Sequence, residues 1–129
     1  MKFYLDSSFI IELVHGQPIA TAIISQLDGD LFTSKLGRAE TLRTVMKRDI
    51  AWLDDALSIL KNISLIDLDD EIFNLVESYG SEISLKTSDA IHVATAQILL
   101  GEDDWLVTLD SQMAANAKKL GIQIVSDHK

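Results

Sequence analysis

The sequence Lys2-Phe3-Tyr4-Leu5-Asp6 opens the chain with bulky apolar residues that end in an acid. Three later stretches share this arrangement, and a fifth is rich in β-branched residues. Short apolar runs of this kind predict strands that are buried on both faces of a parallel sheet. The predicted strands cover residues 2–6, 30–33, 64–68, 105–109 and 122–125.

Helical patterns lie between the predicted strands. Pro18 suits the first turn of a helix whose apolar spacing continues until Gly29. Residues 36–61 predict two helices, because residues 46–49 interrupt the apolar periodicity, and residues 70–79 predict a further helix.

Two more helices are predicted toward the C-terminus. Ser88 or Asp89 is expected to cap a helix that runs to Ile98, and apolar residues at positions 113, 117 and 120 predict a last helix that Gly121 ends. Strands that alternate with helices indicate the α/β class. We therefore expect a three-layer α/β/α sandwich with a mostly parallel central sheet, formed by a single domain over residues 1–129.

The composition excludes several classes of protein. With 47% apolar and 24% charged residues the chain is expected to fold, and a net charge of −9 excludes binding to nucleic acid through an overall positive field. The absence of cysteine excludes disulfides, thiolate nucleophiles and zinc–thiolate sites, and fits a reducing cytoplasm. The apolar runs are far shorter than the roughly 20 residues of a membrane span, so we expect no membrane association.

Four acids are expected at one edge of the predicted sheet. Asp6 and Asp110 end strands, Glu40 lies early in the helix after the second strand, and Asp89 opens a helix. Ligands of an open parallel α/β sheet bind outside the carboxyl ends of its strands. We therefore expect these four separated segments to bring their carboxylates together.

Such a cluster of acids favours a metal site. Two unit charges about 5 Å apart repel by roughly 3 kcal/mol at an effective dielectric constant near 20, so converging carboxylates need compensation. With no cysteine and only three histidines, a site made of oxygen ligands selects Mg²⁺ or Mn²⁺. An ion of this kind activates water and neutralises a phosphodiester oxygen, which is the chemistry of a nuclease.

Each acid also has a purely structural interpretation. Asp89 and Asp110 are preferred residues for capping a helix. Glu40, between Arg38 and Arg43, can also be explained as a solvated ion-pair partner. Asp6 is harder to explain in this way because an unpaired carboxylate beside a core strand is costly. The prediction of a site therefore depends on the four acids as a set.

The order and spacing of these motifs resemble the PIN-domain family, and within it the VapC-type toxin ribonucleases. The resemblance is carried by Tyr4-Leu5-Asp6-Ser7-Ser8, Ser34, Arg38-Ala39-Glu40, Arg43, Ser88-Asp89-Ala90-Ile91-His92-Val93-Ala94-Thr95-Ala96, Val107-Thr108-Leu109-Asp110 and Ala117-Lys118-Lys119-Leu120-Gly121-Ile122. It implies that Asp6, Glu40, Asp89 and Asp110 form an acidic metal pocket, and that a hydroxyl at Ser7 or Thr108 orients the acids or water.

The resemblance also implies a biological context. It implies a homodimer that is inhibited by a small antitoxin protein, whose arginine-bearing tail enters the acidic pocket. The sequence departs from the family pattern at Gly37, where many relatives carry Thr, and in the tail at residues 126–129, which lacks a frequent Pro. The resulting hypothesis is a Mg²⁺- or Mn²⁺-dependent endoribonuclease; the alternative is a non-catalytic PIN-like module that only binds a partner protein.

A local group of basic residues is expected to bind the RNA substrate. Five of the eleven basic residues fall within fourteen positions, on the segment that carries Glu40: Lys35, Arg38, Arg43, Lys47 and Arg48. Helical spacing pairs Lys35 with Arg38 and Arg43 with Lys47 beside the acidic edge, where RNA phosphates would dock. An ordinary solvated helix face is the alternative.

The histidines and tryptophans are assigned to structure rather than to chemistry. His92 is interpreted as a packed residue, since metal-dependent hydrolysis needs no imidazole. His15 and His128 are expected at the surface, and Trp52 and Trp105 in core or dimer contacts.

Overall fold

The computed structural model describes residues 1–126. His128, whose exposure was predicted, lies outside the described residues. The strands are β1 (Lys2–Leu5), β2 (Asp30–Ser34), β3 (Ser64–Ile66), β4 (Trp105–Val107) and β5 (Ile124–Val125). The helices are α1 (Ser7–Val14), α2 (Pro18–Ile24), α3 (Lys35–Arg48), α4 (Leu53–Leu60), α5 (Asp70–Ser78), α6 (Thr87–Leu99) and α7 (Ser111–Lys119), with a short 3-10 helix at Ile50–Trp52.

The five strands form one sheet in the order β3-β2-β1-β4-β5, and all of its pairings are parallel. The first strand of the sequence therefore lies at the centre, where Tyr4 is opposite Phe32 on one side and Leu106 on the other. This arrangement confirms the predicted α/β class and the mostly parallel sheet.

Alternate residues of β1 enter two separate cores. Phe3 and Leu5 pack with buried residues of α1, α2, α3 and α4, whereas Tyr4 packs with buried residues of α6 and α7 on the other face. Side chains of a strand alternate between the faces of its sheet, so helices on both faces are needed to cover β1. The result is the three-layer sandwich that the sequence predicts.

Helix α1 was not predicted from the sequence. It begins directly after β1, because the carboxylate of Asp6 accepts a hydrogen bond from the backbone N–H of Phe9 and caps the helix. Phe9, Ile10 and Val14 are then buried on the inner face of the helix. The sequence predicts Asp6 only as the end of a strand, whereas the structure shows that it also caps this helix.

The two later acids behave differently at their helices. The prediction that Ser88 or Asp89 caps α6 is wrong, since the helix begins at Thr87 and Lys86 occupies the cap position without a side-chain cap. Asp89 instead lies in the first turn. Asp110 does cap α7, accepting a hydrogen bond from the N–H of Met113, and that helix ends as expected before Gly121, whose φ is +79°.

Four of the five strands are shorter than the apolar runs that predict them, whereas β2 extends one residue further, to Ser34. The third covers Ser64–Ile66 and the fifth Ile124–Val125, and both lie at the edges of the sheet. Each edge strand ends opposite the last residue of its one neighbour, with Ile66 opposite Ser34 and Val125 opposite Val107.

Among residues 1–126, no single helix has the length and apolarity to cross a bilayer, although α1 and α2, bent by 108° at their junction, meet those two criteria when they are taken together.

Gly37 allows α3 to approach the sheet closely. A Cβ at this position would overlap the Thr33 hydroxyl and lie 3.4 Å from the His92 ring. Thr33 is buried, and its hydroxyl donates a 2.7 Å hydrogen bond to the carbonyl of Leu5. Thr33 and His92 therefore occupy the volume that a larger residue at position 37 would need.

We expect Gly37→Ala to lower the free energy of unfolding by about 1 to 3 kcal/mol, because overlap in a packed core outweighs the gain in helix propensity. Urea denaturation measures this change. Gly101→Ala is the matched control, since its Cβ would meet nothing closer than 3.5 Å, and we expect it to stay within about 0.5 kcal/mol of the parent. A Gly37→Ala protein as stable as the parent would contradict the account of this contact.

Candidate active site

The acids that follow β1 and β4 are linked through Thr108. Its hydroxyl donates a 2.6 Å hydrogen bond to Oδ2 of Asp6 and accepts one of 3.0 Å from the backbone N–H of Asp110. Because β1 and β4 are adjacent and parallel, their carboxyl ends meet at the same edge of the sheet. The edge therefore holds both residues beside each other.

Asp6 is the most buried of the four acids, with 1% of its surface exposed. Besides the Thr108 hydroxyl, its oxygens accept a 3.0 Å hydrogen bond from the Phe9 N–H and lie 2.8 and 2.9 Å from the Ser8 hydroxyl. Burial raises the pKa of Asp6 above its ordinary value, although the charge of His92 and these hydrogen bonds act in the opposite direction. The fold thus bears an electrostatic cost at this position.

Glu40 reaches the same edge from α3. Its Oε1 accepts a 3.0 Å hydrogen bond from the Ser7 hydroxyl and lies 2.6 Å from Nε2 of His92, and 30% of its side chain is exposed. Burial alone would raise the pKa of Glu40, but the hydrogen bond and charge of His92, together with Ser7 and Lys86, lower it. Glu40 is therefore held in its ionised form.

Asp89 lies half-buried in the first turn of α6. Burial raises its pKa, the positive charge of Lys86 lowers it, and the negative charges of Asp110 and Glu40 raise it further. Asp89 is thus within electrostatic range of two of the other acids. No hydrogen bond to its carboxylate occurs within residues 1–126, so its charge is compensated only by nearby cations.

These acids suit a hard cation by their chemistry, without forming a closed cage. No group of three or more His, Cys, Asp or Glu side chains among the described residues lies close enough together to hold a metal ion. Mg²⁺ is commonly bound by one or two carboxylates and keeps several of its waters. The donor set fits such an ion, because it offers only oxygens and because a cation would relieve the repulsion around Asp89.

The basic residues of α3 are divided between two environments. Arg43 and Lys47 line a cavity of about 350 Å³ together with Ser7, Glu40 and Thr44. The remaining basic side chains of α3 point elsewhere: Lys35 pairs with Asp67 at 2.8 Å, Arg48 with Glu12 at 3.8 Å, and Arg38 is half-buried outside this cavity. The structure therefore brings only the second predicted pair to the acidic edge.

A second cavity, of about 580 Å³, opens at the opposite end of the sheet beside Glu102, Asp103 and Asp104. Asp104 accepts hydrogen bonds from the backbone N–H groups of Lys2 and Gly101. These acids precede β4 and therefore lie away from the carboxyl ends of the strands.

Sequence reasoning missed two residues of the site and misplaced another histidine. His92 is buried as predicted, yet it contacts Glu40, and Lys86 acts on Asp89 and Glu40. Lys86 lies three residues before Asp89 and His92 three residues after it. Because three residues are about one helical turn, this spacing is the signal that could have identified both. His15 was expected at the surface but is half-buried against Trp52, with ring centroids 4.5 Å apart.

Comparison with known proteins identifies the family. The PIN domain model matches residues 3–125. The chain belongs to the PIN-domain family. Among curated relatives, it is 31% identical over 125 residues to Ribonuclease VapC46 of Mycobacterium tuberculosis, covering 95% of both chains. These matches confirm the resemblance to VapC ribonucleases of the PIN-domain family that the sequence motifs predict.

Solved structures of other proteins agree in fold. VapBC-1 from nontypeable Haemophilus influenzae matches with a TM-score of 0.75 at 16% identity, covering 100% of both chains. A toxin–antitoxin complex from Klebsiella pneumoniae matches with a TM-score of 0.75 at 20% identity, covering 95% of this chain and 94% of that one. At these identities the likeness concerns the fold alone.

The raised pKa of Asp89 predicts how stability depends on pH. The contribution of Asp89 to stability is fully present below its unfolded pKa of about 3.9. It is lost as the pH rises through the higher pKa that Asp89 has in the folded protein. We expect Asp89→Asn to flatten the fall in unfolding free energy between about pH 4 and neutral pH, measured by urea denaturation at each pH. Asp89→Glu keeps a titrating carboxylate and should retain the slope; equal slopes in the parent and Asp89→Asn would contradict the prediction.

Proposed function

We propose that this PIN domain is a divalent-metal-dependent endoribonuclease, the toxin of a type II toxin–antitoxin pair. Two observations support the proposal: Thr108 links Asp6 to Asp110, and Asp89 lies within electrostatic range of Asp110 and Glu40. Glu40 also borders a cavity that is lined by two cations. The name of the similar Ribonuclease VapC46 and the toxin–antitoxin complex among the structural neighbours support it.

The proposal assigns each acid a role. Asp6, Asp89 and Asp110 would hold Mg²⁺ or Mn²⁺, and Glu40 would bind a second ion or orient the attacking water. When bound, such an ion supplies an activated water and neutralises charge on the scissile phosphate. The Thr108 and Ser7 hydroxyls orient Asp6 and Glu40 through the hydrogen bonds that they donate.

The substrate is proposed to be RNA, bound partly by the cavity beside Glu40. Arg43 and Lys47 are exposed, and neither makes an ion pair within residues 1–126. Free cations next to a cluster of acids offer a position for a phosphate on one side of the scissile bond. In this way a chain with a net charge of −9 can bind a polyanion locally.

The partners and setting follow from the same proposal. A small antitoxin with a cationic tail would complement the acidic edge, and a second copy of the chain would form a homodimer in the cytoplasm. Exposed apolar side chains are available for such contacts, namely Ile19, Ile50, Leu57, Leu65 and Phe73.

A non-catalytic module that only binds a partner protein is the second candidate. It is favoured by one observation, that among residues 1–126 no three potential ligands are grouped closely enough to hold an ion. The two candidates differ in metal binding and in cleavage of RNA, so one set of assays separates them.

We expect the protein to cleave RNA in the presence of Mg²⁺ or Mn²⁺ and to stop when the ion is chelated. Hydrolysis by water leaves a 5′-phosphate and a 3′-hydroxyl, since the ribose 2′-hydroxyl is not the nucleophile. Asp6→Asn keeps a side-chain oxygen that can accept the capping hydrogen bond from Phe9, and Asp89→Asn removes no hydrogen bond among the described residues, so both variants should keep the fold. Both should lower the rate by about 100-fold or more, because the amide loses the charge that holds the ion.

Gel analysis of cleavage of a labelled random-sequence RNA, with mapping of the product ends, measures this outcome. Asp103→Asn is the control, since this exposed acid lies at the opposite end of the sheet. Products with 2′,3′-cyclic phosphates, or full activity of Asp6→Asn, would contradict the mechanism. No metal binding and no cleavage by the parent would favour the binding module.

The cavity beside Glu40 predicts which cations matter for RNA. The double variant Arg43→Ala with Lys47→Ala should weaken RNA binding and reduce the dependence of log K on log salt by about 0.7 for each lost phosphate contact. Fluorescence anisotropy over a salt series measures both effects. Lys35→Ala is the matched control, because that side chain pairs with Asp67; an equal loss in this control would contradict the assignment.

A further inference from the structure

A chain of hydrogen bonds runs from the core of the sheet to the acidic edge. The Tyr4 hydroxyl lies 2.8 Å from Nδ1 of His92 and 3.0 Å from Oγ of Ser34, and Nε2 of His92 lies 2.6 Å from Oε1 of Glu40. Tyr4 and His92 are 0% and 1% exposed, whereas Glu40 borders the cavity. The imidazole therefore connects a buried phenol with a carboxylate at the surface.

The chemistry of the end groups assigns the direction of these bonds. An ionised carboxylate only accepts hydrogen bonds, so Nε2 of His92 must carry the proton that it shares with Glu40. When the imidazole is neutral, Nδ1 is an acceptor and Tyr4 donates its single proton to it. The Ser34 hydroxyl is then the donor in its contact with the phenol oxygen. Burial raises the pKa of Tyr4, so the phenol keeps the proton that it donates to Nδ1.

The contacts of Glu40 differ between its two oxygens. Oε1 lies 2.6 Å from Nε2 of His92 and accepts a 3.0 Å hydrogen bond from the Ser7 hydroxyl. Within residues 1–126, no hydrogen bond reaches Oε2. One oxygen is therefore occupied by the protein itself, and the other is available to a ligand.

We propose that His92, held from the core by Tyr4, is a positioning residue that fixes Oε1 of Glu40 and so presents Oε2 alone at the acidic edge. This inference rests on the proposed function, because its consequence is that Glu40 offers a single oxygen to an ion or to water. Residues that hydrogen-bond to a metal ligand orient it, and their loss typically lowers metal affinity or activity by about 10- to 100-fold.

Two amide substitutions separate positioning from mere packing. In His92→Gln the side-chain nitrogen falls near the place of Nε2 and can still donate to Glu40, whereas in His92→Asn the shorter amide lies near Nδ1 and faces Tyr4. Both remove the buried ring and should lower the melting temperature alike. Only the Gln variant keeps the donor for Glu40.

The contribution of Tyr4 has a matched control in Tyr79, whose hydroxyl also contacts a residue of α6. Tyr4→Phe removes the hydroxyl that contacts His92 and keeps the ring in the core. Tyr79→Phe also removes a hydroxyl bonded to α6, at Gln97, where the distance is 2.7 Å. A role for Tyr4 in holding His92 requires that only the first substitution changes metal binding.

The experiment uses the full chain in three measurements. These are Mn²⁺ titration of the metal-free protein, kcat and KM on a labelled random-sequence RNA, and ¹⁵N NMR of the His92 ring without metal. In the parent, we expect NMR to show a proton on Nε2. His92→Asn should lose about tenfold in Mn²⁺ affinity and in kcat, whereas His92→Gln should stay within about threefold of the parent. Tyr4→Phe should lose less than His92→Asn.

Several results would overturn the proposal. Parental Mn²⁺ affinity and kcat in His92→Asn, equal losses in the Asn and Gln variants, or equal losses in Tyr4→Phe and Tyr79→Phe would each reduce the network to packing. A parent that binds no Mn²⁺ and cleaves no RNA would defeat the proposed function instead. In that case the NMR measurement alone decides, since a proton on Nδ1 rather than Nε2 contradicts the His92–Glu40 contact and a proton on Nε2 supports it.

Discussion

The buried carboxylate of Asp6 is the interaction on which both the fold and the candidate site depend. It begins α1 by accepting from the N–H of Phe9, and it joins β1 to the segment after β4 by accepting from Thr108. A carboxylate with 1% exposure is costly to ionise unless donors surround it, and here three residues supply them. The same donors hold the carboxylate at the edge where the other acids arrive.

The electrostatics of this edge oppose stability. Burial and neighbouring negative charge raise the pKa of Asp89, and burial raises that of Asp6, so both residues destabilise the folded protein when they are ionised at neutral pH. Lys86 and His92 reduce this repulsion in part. The proposed metal site explains why this edge of the sheet carries such a cost, because a divalent cation would compensate the charge of the carboxylates.

Local patterns in the sequence predict most of the framework. The strand before Asp6 and the helix cap at Asp110 are recognisable because each depends on neighbouring residues. The start of α6 at Thr87 was predicted wrongly, since Ser88 and Asp89 are stronger capping residues than the Lys86 that precedes the helix. The helix begins without a side-chain cap, so a preference for capping residues could not predict its first residue.

Contacts between distant segments have no such local signal. His92 meets Tyr4 across 88 positions and Glu40 across 52, so only the folded chain reveals the network. The space at Gly37 is a further example, because Thr33 from β2 and His92 from α6 fill it together. Spacing along one helix likewise could not show that Arg43 and Lys47 share the cavity with Glu40 whereas Lys35 turns to Asp67.

Diffraction from crystals soaked in Mn²⁺, with anomalous scattering recorded near the manganese absorption edge, tests the central claim most directly. The account predicts a peak bound by carboxylate oxygens among Asp6, Glu40, Asp89 and Asp110. A peak confined to the opposite end of the sheet, beside Glu102 and Asp104, or no peak at millimolar Mn²⁺, would contradict it.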